Sequence, residues 1–402
     1  MRRALIIGYA FHPRITPTSY HTEGILNGLC KNGYAVDLIL PKDSRKNDFW
    51  DEAPPGLTIH LIDMKRLTPF QWILKIFFWL FLRPSGFAFA YCACKYVKQN
   101  GLDKNADVLL TIADPFVTHL TGMLIKSKNK KLQWVADYGD PYTYSPHILQ
   151  VIEKGGIIKK VITGCKMKGM CLLEKRAVKH MSRIVIPIEA AKNSYYKVNA
   201  TDEQIVVIPQ LFEYKFEETA YNLFDDEKIN ILFAGSFYKD IRHPGEFLAA
   251  YKQLIEEEKP LAFHFFGDVE QFEAFLSELG PKKEKYNIFA NKRIPRPQML
   301  SVMNSADILL NLNNLCKEQM PCKVQDYINS SIRVLNIGTS LFDEFINAEN
   351  QRDAIYAVLS EIEKHDRITD YGALSLKFDY DNNLKKYLEA LNGTTEDKTH
   401  SE

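Results

Sequence analysis

The chain has 402 residues, more than one hydrophobic core normally organises, so two domains are expected. Hydrophobic residues make up 46% of it and charged residues 25%, which is the composition of a globular protein. The 51 lysines and arginines almost balance the 50 aspartates and glutamates, which disfavours a general nucleic-acid binder, so no nucleic-acid partner is expected.

The first half of the chain alternates apolar runs with segments of helical spacing. It opens on RALIIGY, and the apolar run stops at Ala10 without the cleavage site of a signal peptide, so a buried strand is predicted. A helix over 22–32 follows, with Gly33 as its stop. Further strands are predicted at 35–41, 57–62, 107–112, 132–136, 183–187 and 205–208. This alternation predicts a parallel, doubly wound sheet.

The pattern restarts after a polar, acidic segment at 213–228, which is predicted to be a linker. Strands are predicted at 229–234, 261–266, 307–312 and 333–337, with a helix over 246–257 after the first of them. The predicted fold class is therefore α/β, with two Rossmann-like doubly wound domains at 1–212 and 229–372. Ligands of such domains bind at the carboxyl ends of the strands, here in a predicted interdomain cleft. The polar tail 393–402 is predicted to be disordered.

The sequence lacks the motifs of zinc-binding proteins and of nicotinamide-dependent dehydrogenases. The seven cysteines are scattered, with no CxxC pair and no histidines at zinc spacing, which favours reduced thiols in the cytoplasm and no metal site. Neither opening strand leads into G-x-G-x-x-G, because the chain continues as GYAFHPRITP after Ile7 and as AGSFYKD after Phe233. A nicotinamide-dependent dehydrogenase is therefore not expected.

Most of the predicted chemistry lies in LLNLNNLCKEQMPCKVQDYINSSIRVLNIG at 309–338. A strand ends in an asparagine-rich loop, Glu318 follows, and Pro321 can occupy the first turn of a helix. Lys323 and Asp326 lie early in that helix. A helix N-terminus beside a lysine can bind a diphosphate, and an acid one turn further on can hydrogen-bond ribose hydroxyls.

This stretch resembles the nucleotide-sugar site of GT-B glycosyltransferases of the retaining GT4 type. In that family two acids are separated by seven residues, and the second acid is the E of P-x-K-x-x-E-Y. Here the two acids are Glu318 and Asp326. The resemblance implies that Glu318 is a catalytic residue that holds the donor sugar. It also implies that Lys323 and Asp326 bind the donor.

A second stretch, ILFAGSFYKDIRHPGEFLAAYKQL, resembles the opening of the same family's donor domain. The resemblance implies donor-binding roles for Gly235, Ser236 and Arg242, with Arg242 on phosphate. The family's usual Gly-Arg pair is Gly235-Ser236 here. One phosphate-binding cation is therefore missing or supplied from elsewhere.

In the first half, TIADPFVTHL and WVADYGDPYTYSP resemble the acceptor-side loops of this family, which makes 1–212 the acceptor-binding domain. The resemblance implies a catalytic place for His119 and cleft positions for Asp137 and Asp140. Both aspartates could instead cap the turn before Pro141. His12, on the loop after the first strand, is a further cleft candidate. FDYDNNLKKYLEAL resembles the terminal helix, at 373–392, that crosses back to the first domain.

Two segments favour contact with a membrane. Phe70–Leu82 is intensely aromatic but shorter than the ~20 residues of a spanning helix. Lys154–Arg183 carries nine lysines and arginines against the single acid Glu174, with apolar residues at helical spacing. Together they predict peripheral binding to anionic lipid, unless the aromatic residues pack inside the first domain.

The function expected from the resemblance is transfer of a sugar from a nucleotide-sugar to an acceptor hydroxyl, with anomeric retention. No metal or other cofactor is expected, because cations are already placed at the phosphates. The expected acceptor is a lipid-linked glycan of a bacterial surface polysaccharide, and the expected location is the cytoplasmic face of the inner membrane. A sugar-nucleotide epimerase or hydrolase remains an alternative. So does a non-catalytic membrane-associated partner, given Ser236.

Overall fold

The computed structural model describes residues 1–12, 16–42, 53–64, 84–113, 115–145, 148–149, 152, 156–217, 221–237, 242–277, 283–313, 318–364 and 367–393. The chain forms two compact units. The first contains Met1–Glu213 together with the segment from Tyr380 onward, and the second contains Tyr214–Asp379. The predicted aromatic segment Phe70–Leu82 lies wholly outside the described residues, and of the predicted tail 393–402 only Gly393 is described.

The first unit is built on a parallel sheet of seven strands in the order β3-β2-β1-β4-β5-β6-β7. The strands are β1 Arg3–Ile7, β2 Ala35–Pro41, β3 Leu57–Ile62, β4 Val108–Ile112, β5 Gln133–Asp137, β6 Arg183–Ile186 and β7 Ile205–Val207. Its helices are α1 Pro17–Lys31, α2 Pro84–Gln99, α3 Leu102–Asn105, α4 Val117–Lys128, α5 Ile157–Val178, α6 Lys192–Tyr196 and, at the end of the chain, α13 Tyr380–Asn392.

The second unit is built on a parallel sheet of six strands in the order β10-β9-β8-β11-β12-β13. The strands are β8 Ile229–Gly235, β9 Leu261–Gly267, β10 Ile288–Lys292, β11 Ile308–Leu312, β12 Val334–Ile337 and β13 Ile346–Ala348. The helices are α7 Gly245–Glu256, α8 Val269–Leu276, α9 Arg296–Ser305, α10 Lys323–Ser330, α11 Arg352–Glu361 and α12 Ala373–Lys377. Both sheets thus have the strand order of doubly wound nucleotide-binding folds.

Helices cover both faces of each sheet, so the central strands are apolar on both sides. In the first unit, α2 and α4 pack on one face through residues such as Phe89 and Leu120, while α1 and α13 pack on the other. In the second unit, α7, α8 and α11 cover one face and α9, α10 and α12 the other. Three aromatic residues of the predicted linker 213–228 pack against this last layer: Tyr214, Tyr221 and Phe224.

Helix α5 has one face that does not pack against the sheet. Ile157, Ile158, Val161 and Ile162 are between 51% and 83% exposed, and Leu172 further along the helix is 71% exposed. Exposed lysines, among them Lys160, Lys166 and Lys168, alternate with these apolar residues. No helix in the described ranges is both long enough and apolar enough to cross a membrane.

Candidate active site

Three parallel strands of the second unit end at one edge of the sheet. Gly235 ends β8 and pairs with Gly267 at the end of β9, which in turn pairs with Lys292 at the end of β10. Gly235 has φ +146°, which side chains rarely adopt, and a Cβ on Gly267 would lie 2.1 Å from the carbonyl oxygen of Gly235. Gly267 therefore allows β8 and β9 to approach each other closely, and Gly235 leaves bare backbone that a ligand can approach.

Lys323 places a buried ammonium group at this edge. It is the first residue of α10, where the N-cap Cys322 makes no side-chain cap. Its Nζ lies 3.4 Å from the centroid of the Phe233 ring and 3.7 Å from where a Cβ on Gly235 would stand. This Nζ has no hydrogen-bond partner within the described part of the chain. Burial lowers the pKa of Lys323 well below its usual range, and the charge of Arg242 lowers it further.

Two further cations belong to the same edge. Arg242 acts on the pKa of both Lys323 and Tyr327, which places its charge near the start of α10. Arg293, directly after β10, donates a hydrogen bond from Nη2 to Oγ of Ser236 at 2.7 Å. Arg242 and Ser236 were predicted as donor-binding residues, whereas Arg293 was missed. An anion at this edge would meet three cationic side chains, which is the chemistry that holds a diphosphate.

Asp326 is already engaged by an arginine. Its Oδ1 accepts from Nη2 of Arg296 at 2.6 Å, and the two side chains are only 12% and 14% exposed. Burial raises the pKa of the Asp326 carboxyl, and the neighbouring guanidinium acts in the opposite direction. The guanidinium also lies 5.1 Å from the centroid of the Tyr214 ring. The predicted ribose-binding acid is therefore also part of a buried ion pair, and Arg296 was missed.

Glu318 differs from Asp326 in its surroundings. Its side chain is half-buried. Within the described residues, which do not include 314–317 directly before it, Glu318 forms no hydrogen bond or ion pair. Below its loop, Asn311 donates to Asn336 at 2.8 Å and Asn336 donates to Asn347 at 2.8 Å, which joins β11, β12 and β13 by their side chains. These asparagines fix the strand from which the loop departs, while the Glu318 carboxylate remains available to a ligand.

His119 is fully buried inside the first unit. Trp134 donates from Nε1 to Oγ1 of Thr111 at 2.9 Å, and Nδ1 of His119 lies 2.8 Å from the same oxygen. Burial lowers the pKa of His119 to about 3. His119 thus packs inside the first unit as a neutral side chain in this structure, and the catalytic role predicted for it stays a prediction.

Asp137 holds three elements of the first unit together. The backbone N–H of Leu211 donates to Nδ1 of His21 at 2.8 Å, so His21 carries its proton on Nε2 and donates to Oδ2 of Asp137 at 2.9 Å. The Tyr387 hydroxyl of α13 donates to the same oxygen at 2.5 Å. Asp137 is only 3% exposed and ties these elements together, and its predicted cleft position stays a prediction.

The other two cleft candidates lie nearer the surface of the first unit. His12 follows the carboxyl end of β1, and its Nε2 lies 3.1 Å from Oε2 of Glu23. Asp140 is exposed and follows β5. The loop after Asp140 is tied to α5 by Glu174, which accepts the Thr143 N–H at 3.1 Å, and burial raises the pKa of Glu174 to about 7. His12 and Asp140 thus remain candidates for acceptor contact.

Within the described ranges, no three or more His, Cys, Asp and Glu side chains are arranged to hold a metal ion. The predicted donor residues Gly235, Ser236, Arg242 and Lys323 gather at one edge of the second sheet, which also carries positive charge. Positive groups fixed in this way can stabilise the negative charge that develops on a departing phosphate.

Comparison with known proteins gives the fold. No protein-family model matches the chain, and no curated protein sequence is significantly similar to it. Among solved structures, Anabaena HepE in complex with UDP and glucose matches with a TM-score of 0.64 at 11% identity, over 98% of this chain and 100% of that one. WaaG, a glycosyltransferase involved in lipopolysaccharide biosynthesis, matches with a TM-score of 0.63 at 12% identity, over 97% and 100%.

A third similar solved structure is that of an enzyme with a different activity. The UDP-GlcNAc 2-epimerase from Methanocaldococcus jannaschii matches with a TM-score of 0.59 at 12% identity, over 98% of this chain and 100% of that one. At these identities the likeness concerns the fold alone. The predicted fold class is confirmed: the chain has two doubly wound α/β units and the GT-B fold.

Proposed function

We propose that this chain is a glycosyltransferase that moves a sugar from a nucleotide-sugar to an acceptor hydroxyl. The observation that carries the proposal is Lys323, whose buried Nζ lacks a hydrogen-bond partner within the described residues and lies beside the bare backbone at Gly235. Keeping an unpaired ammonium group out of water is costly. A diphosphate at this edge would supply the missing partner, and HepE, a protein of the same fold, was solved with UDP.

The proposed chemistry follows from the placement of charge. Lys323 and Arg242 would neutralise the leaving diphosphate, and the N-terminus of α10 would add its partial positive charge. Glu318 would hold hydroxyls of the donor sugar and orient the anomeric carbon. We extend the proposal to retention of configuration, with attack on the face that the phosphate leaves, because the motif around Lys323 resembles a retaining family. Such attack requires no dedicated protein base.

The test is a binding and product assay on the purified protein. Nucleoside diphosphates and nucleotide-sugars are screened by thermal shift, since a ligand of the native state raises Tm. We expect at least one diphosphate to stabilise the protein, and turnover of its sugar to persist in EDTA because the cations above replace a metal. Activity that EDTA abolishes and manganese restores would contradict the metal-free mechanism. No binding to any nucleotide would contradict the whole proposal.

A sugar-nucleotide epimerase is the second candidate, because the M. jannaschii epimerase matches this chain over the same extent. An epimerase or a hydrolase would use the same donor edge without a glycan acceptor. Product analysis separates the three activities, since an epimerase returns an isomeric nucleotide-sugar and a hydrolase releases free sugar. A glycosyltransferase forms product only when an acceptor hydroxyl is present.

We further propose that the acceptor is a lipid-linked glycan of a surface polysaccharide or glycolipid, reached at the cytoplasmic face of a membrane. The support is the exposed face of α5, where isoleucines and lysines alternate. Apolar residues of this kind insert at the boundary of headgroups and acyl chains, and the lysines meet anionic lipid.

Ile158→Gln together with Ile162→Gln is expected to weaken binding to vesicles of anionic phospholipid about tenfold or more, because two exposed apolar side chains are lost from the contact. Ile368→Gln with Leu376→Gln is the matched control, because these residues are 64% and 65% exposed in the second unit. Co-sedimentation at low salt measures the effect. Equal binding by the two variants would rule out this face of α5 as the anchor.

A further inference from the structure

The second unit lacks a cation where the resemblance expects one, because Ser236 follows Gly235. The structure brings another cation to that place, since Arg293 donates to the Ser236 hydroxyl at 2.7 Å. We propose that Arg293 supplies the second phosphate-binding cation of the donor site and that Ser236 positions its guanidinium. This inference rests on the proposed function and assigns a residue within the same site.

The sheet explains how Arg293 reaches Ser236. Gly235, Gly267 and Lys292 are paired across β8, β9 and β10, so Arg293 begins two strands away from Ser236. Neighbouring strands lie about 4.8 Å apart, so β8 and β10 are separated by about 10 Å. The Arg293 side chain, its hydrogen bond and the Ser236 side chain together cover that distance. Gly267 at the end of β9 allows the backbone of β8 to lie close beside it.

The charge of Arg293 is not compensated within the described residues. In the part of the chain that the structure describes, it contacts the neutral hydroxyl of Ser236, whereas Arg296, three residues later, is paired with Asp326. A guanidinium has five N–H donors, so most of them remain for the oxygens of an anion. Arginine also binds phosphate in a two-pronged geometry that a serine hydroxyl on one side would orient. Arg293 is exposed at this edge and can therefore offer these donors to a phosphate.

The test removes the charge and compares two nucleotides by calorimetric titration. Arg293→Gln is expected to weaken UDP binding about ten- to a hundredfold, because hydrogen bonds to a charged group are lost. UMP binding should fall by less than about threefold. In this proposal Lys323 and the start of α10 bind the phosphate that UMP shares with UDP, and Arg293 binds the second one. GDP and GMP replace these probes if the wild type prefers guanine. Lys292→Gln is the matched control, since it removes an exposed positive charge one residue earlier.

The double exchange Ser236→Arg with Arg293→Ser moves the cation to the end of β8 and is expected to restore UDP binding to within about tenfold of the wild type. Wild-type affinity in Arg293→Gln, or an equal loss in Lys292→Gln, would overturn this inference and leave the proposed function standing. A wild-type protein that binds neither diphosphate would overturn both.

Discussion

Lys323→Met should produce a protein that is more stable without ligand and binds nucleoside diphosphate at least about a hundredfold more weakly. The buried Nζ has no hydrogen-bond partner within the described residues and lies over the Phe233 ring. Methionine keeps the length of the side chain and its contact with that ring, and it removes the cost of burying an ammonium group. We expect a gain of about 1–3 kcal/mol in the free energy of unfolding, or a few degrees in Tm.

Thermal unfolding without ligand and calorimetric titration with UDP or GDP measure the two effects. Lys252→Met is the control, because Lys252 also lies over a ring, 5.7 Å from the centroid of Tyr286, but is carried by α7 away from this edge. Burial lowers the pKa of Lys323 in the free protein. The negative charge of a bound diphosphate raises that pKa again, so binding takes up a proton. Wild-type affinity should therefore fall as the pH rises. A destabilised Lys323→Met that retains its affinity would show that the ammonium serves the fold.

Asp326→Asn should destabilise the second unit by about 3–5 kcal/mol, because it leaves the guanidinium of Arg296 buried without its partner. Nucleotide affinity should fall together with stability if the Asp326 carboxylate also binds the ribose. Glu318→Gln should instead leave stability within about 0.5 kcal/mol and reduce turnover about ten- to a hundredfold, with free nucleotide binding nearly intact.

Denaturant unfolding, nucleotide titration and a donor turnover assay separate these outcomes. The double change Asp326→Asn with Arg296→Gln provides the control, since removing both charges should restore much of the lost stability. Recovery of stability without recovery of affinity would show that the pair of Asp326 and Arg296 serves nucleotide binding and not the fold alone. Full turnover in Glu318→Gln together with wild-type affinity in a stable Asp326 variant would mean that the spacing of the two acids is accidental.

The sequence predicts the central strands of both sheets and misses two edge strands. IFANK at β10 and INA at β13 are short and partly polar, because an edge strand packs against fewer neighbours. The start of α1 is also missed. The Thr16 side chain accepts the Ser19 N–H at 3.2 Å and Pro17 opens the helix, although the predicted helix starts only at residue 22.

Because β10 was not predicted from the sequence, Arg293 and Arg296 were not predicted as site residues either. Without β10, nothing in the sequence assigns Arg293 and Arg296 to the carboxyl edge of the second sheet, although both lie within five residues of its last residue. Gly235 and Lys323 could be assigned to that edge because each is close in sequence to a strongly apolar strand.

The buried partners of Asp137 and His119 could not be predicted for a different reason. Asp137 ends β5, and polar residues at strand ends usually line a ligand site. Its partners His21 and Tyr387 are 116 and 250 residues away in the chain, so no local pattern announces them. His119 depends on Thr111 and Trp134, whose relation appears only once β4 and β5 are paired.

The core of the first unit is complete only when the last helix of the chain has packed against its sheet. Leu384, Tyr387 and Leu391 of α13 belong to its core, whereas the second unit is one continuous segment. During synthesis, a ribosome that adds about 5–20 residues per second needs about 10–35 s to pass from Glu213 to the end of α13. Through that interval, the part of one sheet face that α13 covers beside α1 stays exposed, while the second unit can fold. The half that is translated first is therefore the half that is completed last.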